Sequence, residues 1–209
     1  MCSSDLDLVV LSVDSVKSAD IRAALMALKI PVVMEKAPRN INGAYSEMLT
    51  LGRATGHASE ARARIVSMKQ RIAAIIRAAK ITAPVRFFHE LDNTLYSATT
   101  TTFIGQVYRQ IAPRSVNVAD AAASADSGGY PQLSAEYLVS SNPQVIFLAD
   151  AQYGESAQTV KGRAAFAGID AVVKNKVIAL PADIPSRWGP RLVTLYAFIA
   201  KALARVQSS

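Results

Sequence analysis

"NPQVIFLADAQ", residues 142–152, holds an uninterrupted apolar run, Val145, Ile146, Phe147 and Leu148, that ends near Asp150. Four apolar residues without alternation predict a strand buried on both faces, as in parallel sheets, with a polar C-terminal end. Its lead-in, "GYPQLSAEYLVSS" (129–141), supplies a Gly-Tyr-Pro turn and a short amphipathic helix carrying Glu136. Downstream, a helical stretch is expected over about 157–173, then a second strand in "KVIALP" (176–181).

The same order recurs near the start. "DLDLVVLSVDS" (5–15) predicts a strand, residues 19–29 a helix, and "IPVVMEK" (30–36) a second strand. Strands alternating with helices imply parallel sheets joined by right-handed crossovers. The fold class is therefore α/β, with two Rossmann-like lobes. The later block has a longer approach: a strand in "PVRFFHELD" (84–92) and a helix around 103–111. The first block has no counterpart to it. If the lobes are alike, roughly 60–90 residues of the first are absent, the size of a two-strand α/β unit. The first lobe is expected to be incomplete, and residues 1–4 to be foreign to the native sequence.

The longest helical signal lies between the blocks. In "EARARIVSMKQRIAAIIRAAK" (60–80), Ala61, Ile65, Met68, Ile72, Ile75, Ile76 and Ala79 recur at spacings of three and four, which gives one apolar face. Gly56 is the expected stop of a preceding helix, Ser59 the expected N-cap, and Pro84 marks the exit. Some 20 residues make a rod of roughly 30 Å, long enough to join two lobes. A last helix is expected from Pro190 in its first turn, with a buried stripe of Leu192, Leu195, Tyr196, Ile199, Leu203 and Val206. The expected division is 1–56 for a partial N-terminal lobe, 57–82 for the backbone helix and 83–209 for the C-terminal lobe.

Composition narrows the function. The 209 residues are 51% hydrophobic, enough for a substantial core. No apolar run is long enough to read as a transmembrane helix, and no signal segment is visible. The net charge of +7 comes from scattered Lys and Arg, without the basic stripe interleaved with aromatics that nucleic-acid sites show. No nucleic-acid partner is expected. One cysteine, Cys2, and two histidines, His57 and His89, leave no disulfide framework and no multi-histidine zinc site.

Five strings, in order, resemble one family. They are "DLDLVVLS", "LGRATGHASEARA" (51–63), "FFHELDNTLYSATTTTFIGQVY" (87–108), "YPQLSAEYLVSSNPQVIFLAD" (130–150) and "VVKNKVIALPADIPSRWGPR" (172–191). They are similar to motifs of the helical-backbone, or class III, substrate-binding proteins of ABC importers, the group that captures vitamin B12, iron–siderophores and haem. The resemblance spans nearly the whole chain. It departs from the family pattern at Pro113-Arg114, at Gln144 and at Trp188, which leaves the ligand class open. It implies capture of a metal chelate or corrinoid between two lobes, delivery to an ABC permease of the inner membrane, and no catalysed reaction. It also implies a periplasmic or extracellular location, with a lipoprotein anchor as one form of it. No cofactor of its own is expected, since any iron or cobalt arrives inside the ligand. A monomer is expected.

The resemblance gives Glu136 a role: the second-lobe glutamate offered to permease arginines, a charge-assisted contact that orients docking. The plainer reading is an exposed carboxylate that favours its helix N-terminus. Ligands of open α/β lobes sit beyond the carboxyl ends of the strands. This places Glu90, Tyr96, Arg187 and Trp188 as the ligand-binding candidates. Aromatic rings give flat apolar contact and arginine a fork for carboxylate or phosphate. Tyr96 and Phe103 as core, Arg187 paired with Asp183, and Trp188 as a cap on the last helix are the structural alternatives. His89 reads as a hydrogen-bonded structural residue rather than a metal ligand. Two other functions stay open: an enzyme on a two-lobed scaffold, chelatase or transferase-like, and a sensor domain of the same fold. Neither a G-x-S-x-G elbow nor a phosphate-binding glycine loop supports the first.

Overall fold

In a computed structural model, which describes residues 6–181 and 187–207, the chain divides into two compact units, residues 1–65 and 66–209. The boundary falls inside the longest helix. The chain is α/β, and every strand pairing between its named strands is parallel.

The first unit pairs β1 (Val9–Ser12) with β2 (Val32–Glu35) in register from Val9↔Val32 to Ser12↔Glu35. The crossover is α1 (Ser18–Ala27), none of whose residues is buried. The helix α2 (Ile41–Ala54) follows. Its N-cap is Asn40, whose side chain accepts from the Gly43 N–H at 2.9 Å, satisfying one of the orphan donors of the first turn. Of this helix the sequence showed only the expected stop, Gly56, and not the range. Gly56, at φ 77°, ends it. The next helix, α3 (Ala58–Ala79), begins before the expected start. Ser59 therefore lies within the helix rather than capping it, and its hydroxyl donates to Glu60 Oε2 at 2.9 Å. Met68 and Ile72 are buried on the apolar face, and the other expected stripe positions are half-buried.

The second unit is built on a four-stranded sheet of order β4-β3-β5-β6. Its strands are β3 (Arg86–Glu90), β4 (Val116–Asn117), β5 (Val145–Leu148) and β6 (Val177–Ala179). All four residues of β5 are buried, because both faces of the sheet are covered. On one face, Phe87 stacks on Tyr108 at 4.5 Å and Tyr108 meets Phe147 at 5.1 Å. Tyr108 belongs to α4 (Phe103–Ile111), which packs with α8 (Leu192–Gln207). On the other face, Phe88, Ile146 and Leu148 join Leu138, Val160, Phe166 and Val172 in one apolar cluster. Those come from α5 (Ala135–Ser141), α6 (Ala157–Lys161), a short turn, and α7 (Asp170–Val173).

Two expectations need correction here. The helical stretch over 157–173 is three short pieces, because the chain turns at Gly162 and Gly168, and glycine weakens a continuous helix. Pro190 lies in a turn before α8 rather than in its first helical turn. The expected stripe of α8 is buried from Leu192 through Leu203, with Val206 half-buried.

Candidate functional site

A parallel sheet sends its strand C-termini to one edge, and the loops beyond them form the ligand-facing rim of open α/β units. In the second unit that rim carries the Asp92–Tyr96 turn after β3, Val118–Asp120 after β4, and the tight turn around Tyr153 after β5. Arg187 and Trp188 follow β6 in sequence.

Tyr96 stands on the rim, 40% exposed, and pairs its backbone with Gln132 in an isolated antiparallel bridge. The carbonyl of Tyr96 also accepts from the Leu91 N–H at 2.9 Å, closing the turn. Tyr130 and Tyr153 are exposed as well, Tyr153 at 82%. Trp188 is half-buried and meets the edge of Phe103 at 6.1 Å between centroids. Phe103 itself is buried, so the alternative that it is core holds for it and not for Tyr96. With the exposed Arg187, Trp188 lines an open depression of about 410 Å³ shared with Gly189, Pro190 and Arg191. Asp183, the alternative partner of Arg187, lies outside the described residues.

A second depression of about 330 Å³ is lined among others by Thr99, Thr101, Asp120 and Ser127. Asp120 accepts from the backbone N–H of Thr100 at 2.7 Å and from its hydroxyl at 3.0 Å. Thr102 caps α4 through the Gly105 N–H at 3.1 Å. Gly105 is required there: a Cβ would lie 1.8 Å from the Thr99 carbonyl oxygen.

Glu90 differs from the other three ligand candidates in its surroundings. Its side chain has no exposure at all, and Arg163 holds it bidentately, Nη1 to Oε2 at 2.8 Å and Nη2 to Oε1 at 2.6 Å. Arg163 also donates to Glu155 at 2.9 Å and lies over the Phe166 ring. Glu155 in turn accepts from Thr159 at 2.6 Å and from Asn93 at 3.3 Å. Burial pushes the Glu90 carboxyl up from its ordinary value, and the Arg163 hydrogen bonds pull against it. Glu90 thus ties β3 to the segment after α6 and offers no accessible oxygen to a ligand. Arg163 and Glu155 were not among the sequence candidates. Arg163 stands 73 residues from Glu90, and no local pattern announces such a pair.

His89 is buried and bonds Tyr108 Oη at 3.0 Å through Nδ1. Desolvation lowers its pKa to about 4. Among the described residues no three His, Cys, Asp or Glu side chains are grouped to hold a metal ion. Glu136 is exposed in the first turn of α5, where Ser134 caps the helix through the Tyr137 N–H at 3.1 Å. The amide of Glu136 and the Ser134 hydroxyl hold the Glu136 carboxyl below its ordinary range, so it stays ionised.

The periplasmic binding protein family matches residues 7–184. A cobalamin-binding protein of Halobacterium salinarum is 29% identical over 204 residues, 95% of this chain and 53% of the relative. An uncharacterized ABC transporter substrate-binding lipoprotein of Bacillus subtilis is 28% identical over 181 residues, 84% and 54% of the two chains. The chain spans about half the length of the curated relatives it matches. The periplasmic heme-binding protein RhuT from Roseiflexus superposes with a TM-score of 0.79 at 17% identity, over 96% of this chain and 76% of that one. This likeness shows the fold.

Proposed function

The chain belongs to the periplasmic binding protein family, and we propose on that premise that it is the substrate-binding component of an ABC importer. Its cargo is a metal chelate or corrinoid: vitamin B12, a ferric siderophore or haem. What supports this reading is that Tyr96 and Tyr153 are exposed after β3 and β5, and that Arg187 and Trp188 line one open depression, in a chain whose relatives include a cobalamin-binding protein. Flat aromatic rings suit a macrocycle or a catecholate, and a guanidinium suits its carboxylate or phosphate groups. Binding and release need no bond to break, so the protein works as a carrier and not as an enzyme. The metal belongs to the cargo, and the protein supplies no cofactor of its own. Glu136 is the docking carboxylate: exposed, ionised, and fixed in direction by a capped helix turn. Its partner is an arginine of the permease, and the site of action is outside the cytoplasmic membrane.

Trp188 is the single tryptophan of the chain, so its emission reports directly on the rim. Titration with cyanocobalamin, haemin and a ferric catecholate siderophore is expected to quench it saturably with one of the three. A folded chain that binds none of them by calorimetry overturns the reading. Proven binding with unchanged emission removes Trp188 from the site.

A further inference from the structure

One carboxyl on the rim has no use in the binding scheme and no partner. Asp150 closes the segment after β5 and is 3% exposed. Neither of its oxygens accepts a hydrogen bond among the described residues. A buried charge in that state is costly, on the order of several kcal/mol, and buried polar atoms without partners are uncommon enough to need a reason. The charged groups that face it are Arg163, Glu90, Glu155 and Asp92. They come from β3 and its loop, from the approach to α6 and from the segment after α6. Among the described residues that face Asp150, Arg163 is the cation beside three acids, and its guanidinium already serves Glu90 and Glu155. His89, on the same strand as Glu90, bonds Tyr108 and stays neutral. Among the described residues no grouping of three acids, His or Cys around Asp150 could hold a metal ion. A proton neutralises the carboxyl in place and needs no further partner.

We propose that Asp150 is a buried proton site that latches the loop after β5: the closed loop holds it as a neutral carboxyl, and losing the proton opens the loop. The placement supports this. The Asp150 carbonyl accepts from the Tyr153 N–H at 2.7 Å, so Asp150 is the hinge of the turn that presents Tyr153. The far end of that turn is held by Glu155 to Arg163 and Asn93. An ionised Asp150 needs hydrogen-bond donors, and the closed turn supplies none to its oxygens. Desolvation, with the Glu155 and Asp92 charges, raises the proton affinity of Asp150; its own backbone amide and the Arg163 charge oppose this. The sign follows. A raised folded value means that the closed loop is favoured as pH falls and weakened as pH rises through the titration. Protonation of Glu90 at the acid end would act the other way, by releasing Arg163.

The opening itself stands apart from the proposed function. That it withdraws Tyr153 from a cargo rests on that reading. The test uses the ligand-free chain. Carboxyl carbon resonances of labelled aspartates, assigned by Asp150→Asn, should place Asp150 above the ordinary aspartate range. Hydrogen-exchange protection of 91–97 and 151–156 should fall as pH rises through that titration. In Asp150→Asn the step should vanish, while Glu136→Gln keeps it. An Asp150 that titrates at or below the ordinary value, or loop protection independent of pH, overturns the proposal. Failure to bind any chelate leaves this result standing and sinks only the function.

Discussion

His89 has its imidazole out of water against the Tyr108 hydroxyl, and this sets a limit on acid tolerance. Its folded value, displaced from 6.5 to about 4, lies below that of the unfolded chain. The stability it contributes is therefore fully present above pH 6.5 and is lost as pH falls toward about 4. The displacement is worth roughly 3 kcal/mol over that interval. His89→Gln keeps a hydrogen-bonding partner for Tyr108 and does not titrate. Urea unfolding across the interval should show wild type losing stability relative to this variant as acid is added. Parallel curves for the two proteins would mean that His89 is solvated. At this scale the sequence showed where the strands end, and Tyr96 does stand exposed on the turn after β3. It could not show that Glu90 is closed off, because the residue that closes it, Arg163, arrives from a distant segment. Nor could it separate Tyr96, exposed on a turn, from Phe103, buried on a helix one turn further on.

The elements carry their own tests, and α4 is the sharpest. Thr102 caps it, and six of its nine residues are buried. It packs so close to the threonine loop that Gly105 has no room for a methyl group: Thr99 O, Thr99 C and Thr100 Cα would lie 1.8, 2.6 and 2.7 Å away. All three are backbone atoms, which cannot rotate aside. Gly105→Ala should gain about 1 kcal/mol in helix propensity and lose about 3 kcal/mol to displacement of the loop. A lowered melting temperature, with helix content kept below the transition, is the expected circular-dichroism result. A variant as stable as wild type would mean that the loop gives way freely. Close approach also explains what periodicity hid. In α2, a Cβ on Gly43 would lie 3.0 Å from the Pro38 Cβ, and one on Gly52 2.5 Å from the Ala61 Cβ. Its glycines are packing devices, positions where a side chain would meet a neighbouring segment. The stripes of α3 and α8 were legible because long helices repeat a spacing many times. The stretch over 157–173 misled because its apolar residues serve three short pieces around a common cluster.

At the scale of the molecule, the two units differ in how much of their apolar surface leaves water. The second encloses a sheet of four strands between helices, with β5 wholly buried. In the first, two strands and α1 leave Val10, Val13, Ile21, Met26 and Leu28 exposed. Only Ala44, Tyr45 and Gly52 are buried within its helix α2, and none is buried in α1. Local opening is cheapest where few apolar contacts resist it, and a two-stranded sheet alone is marginal. The first unit should therefore open well below the cost of unfolding the second. Native-state hydrogen exchange tests this directly. Amides of β1 and β2 are expected to be about a hundredfold less protected than those of β3 and β5, a gap of roughly 3 kcal/mol. Adding urea should bring the first group to the fully open limit while the second still exchanges slowly. Equal protection with one shared urea dependence would show instead that the chain unfolds as a single body, so that the exposed apolar residues of the first unit cost it nothing in cooperativity.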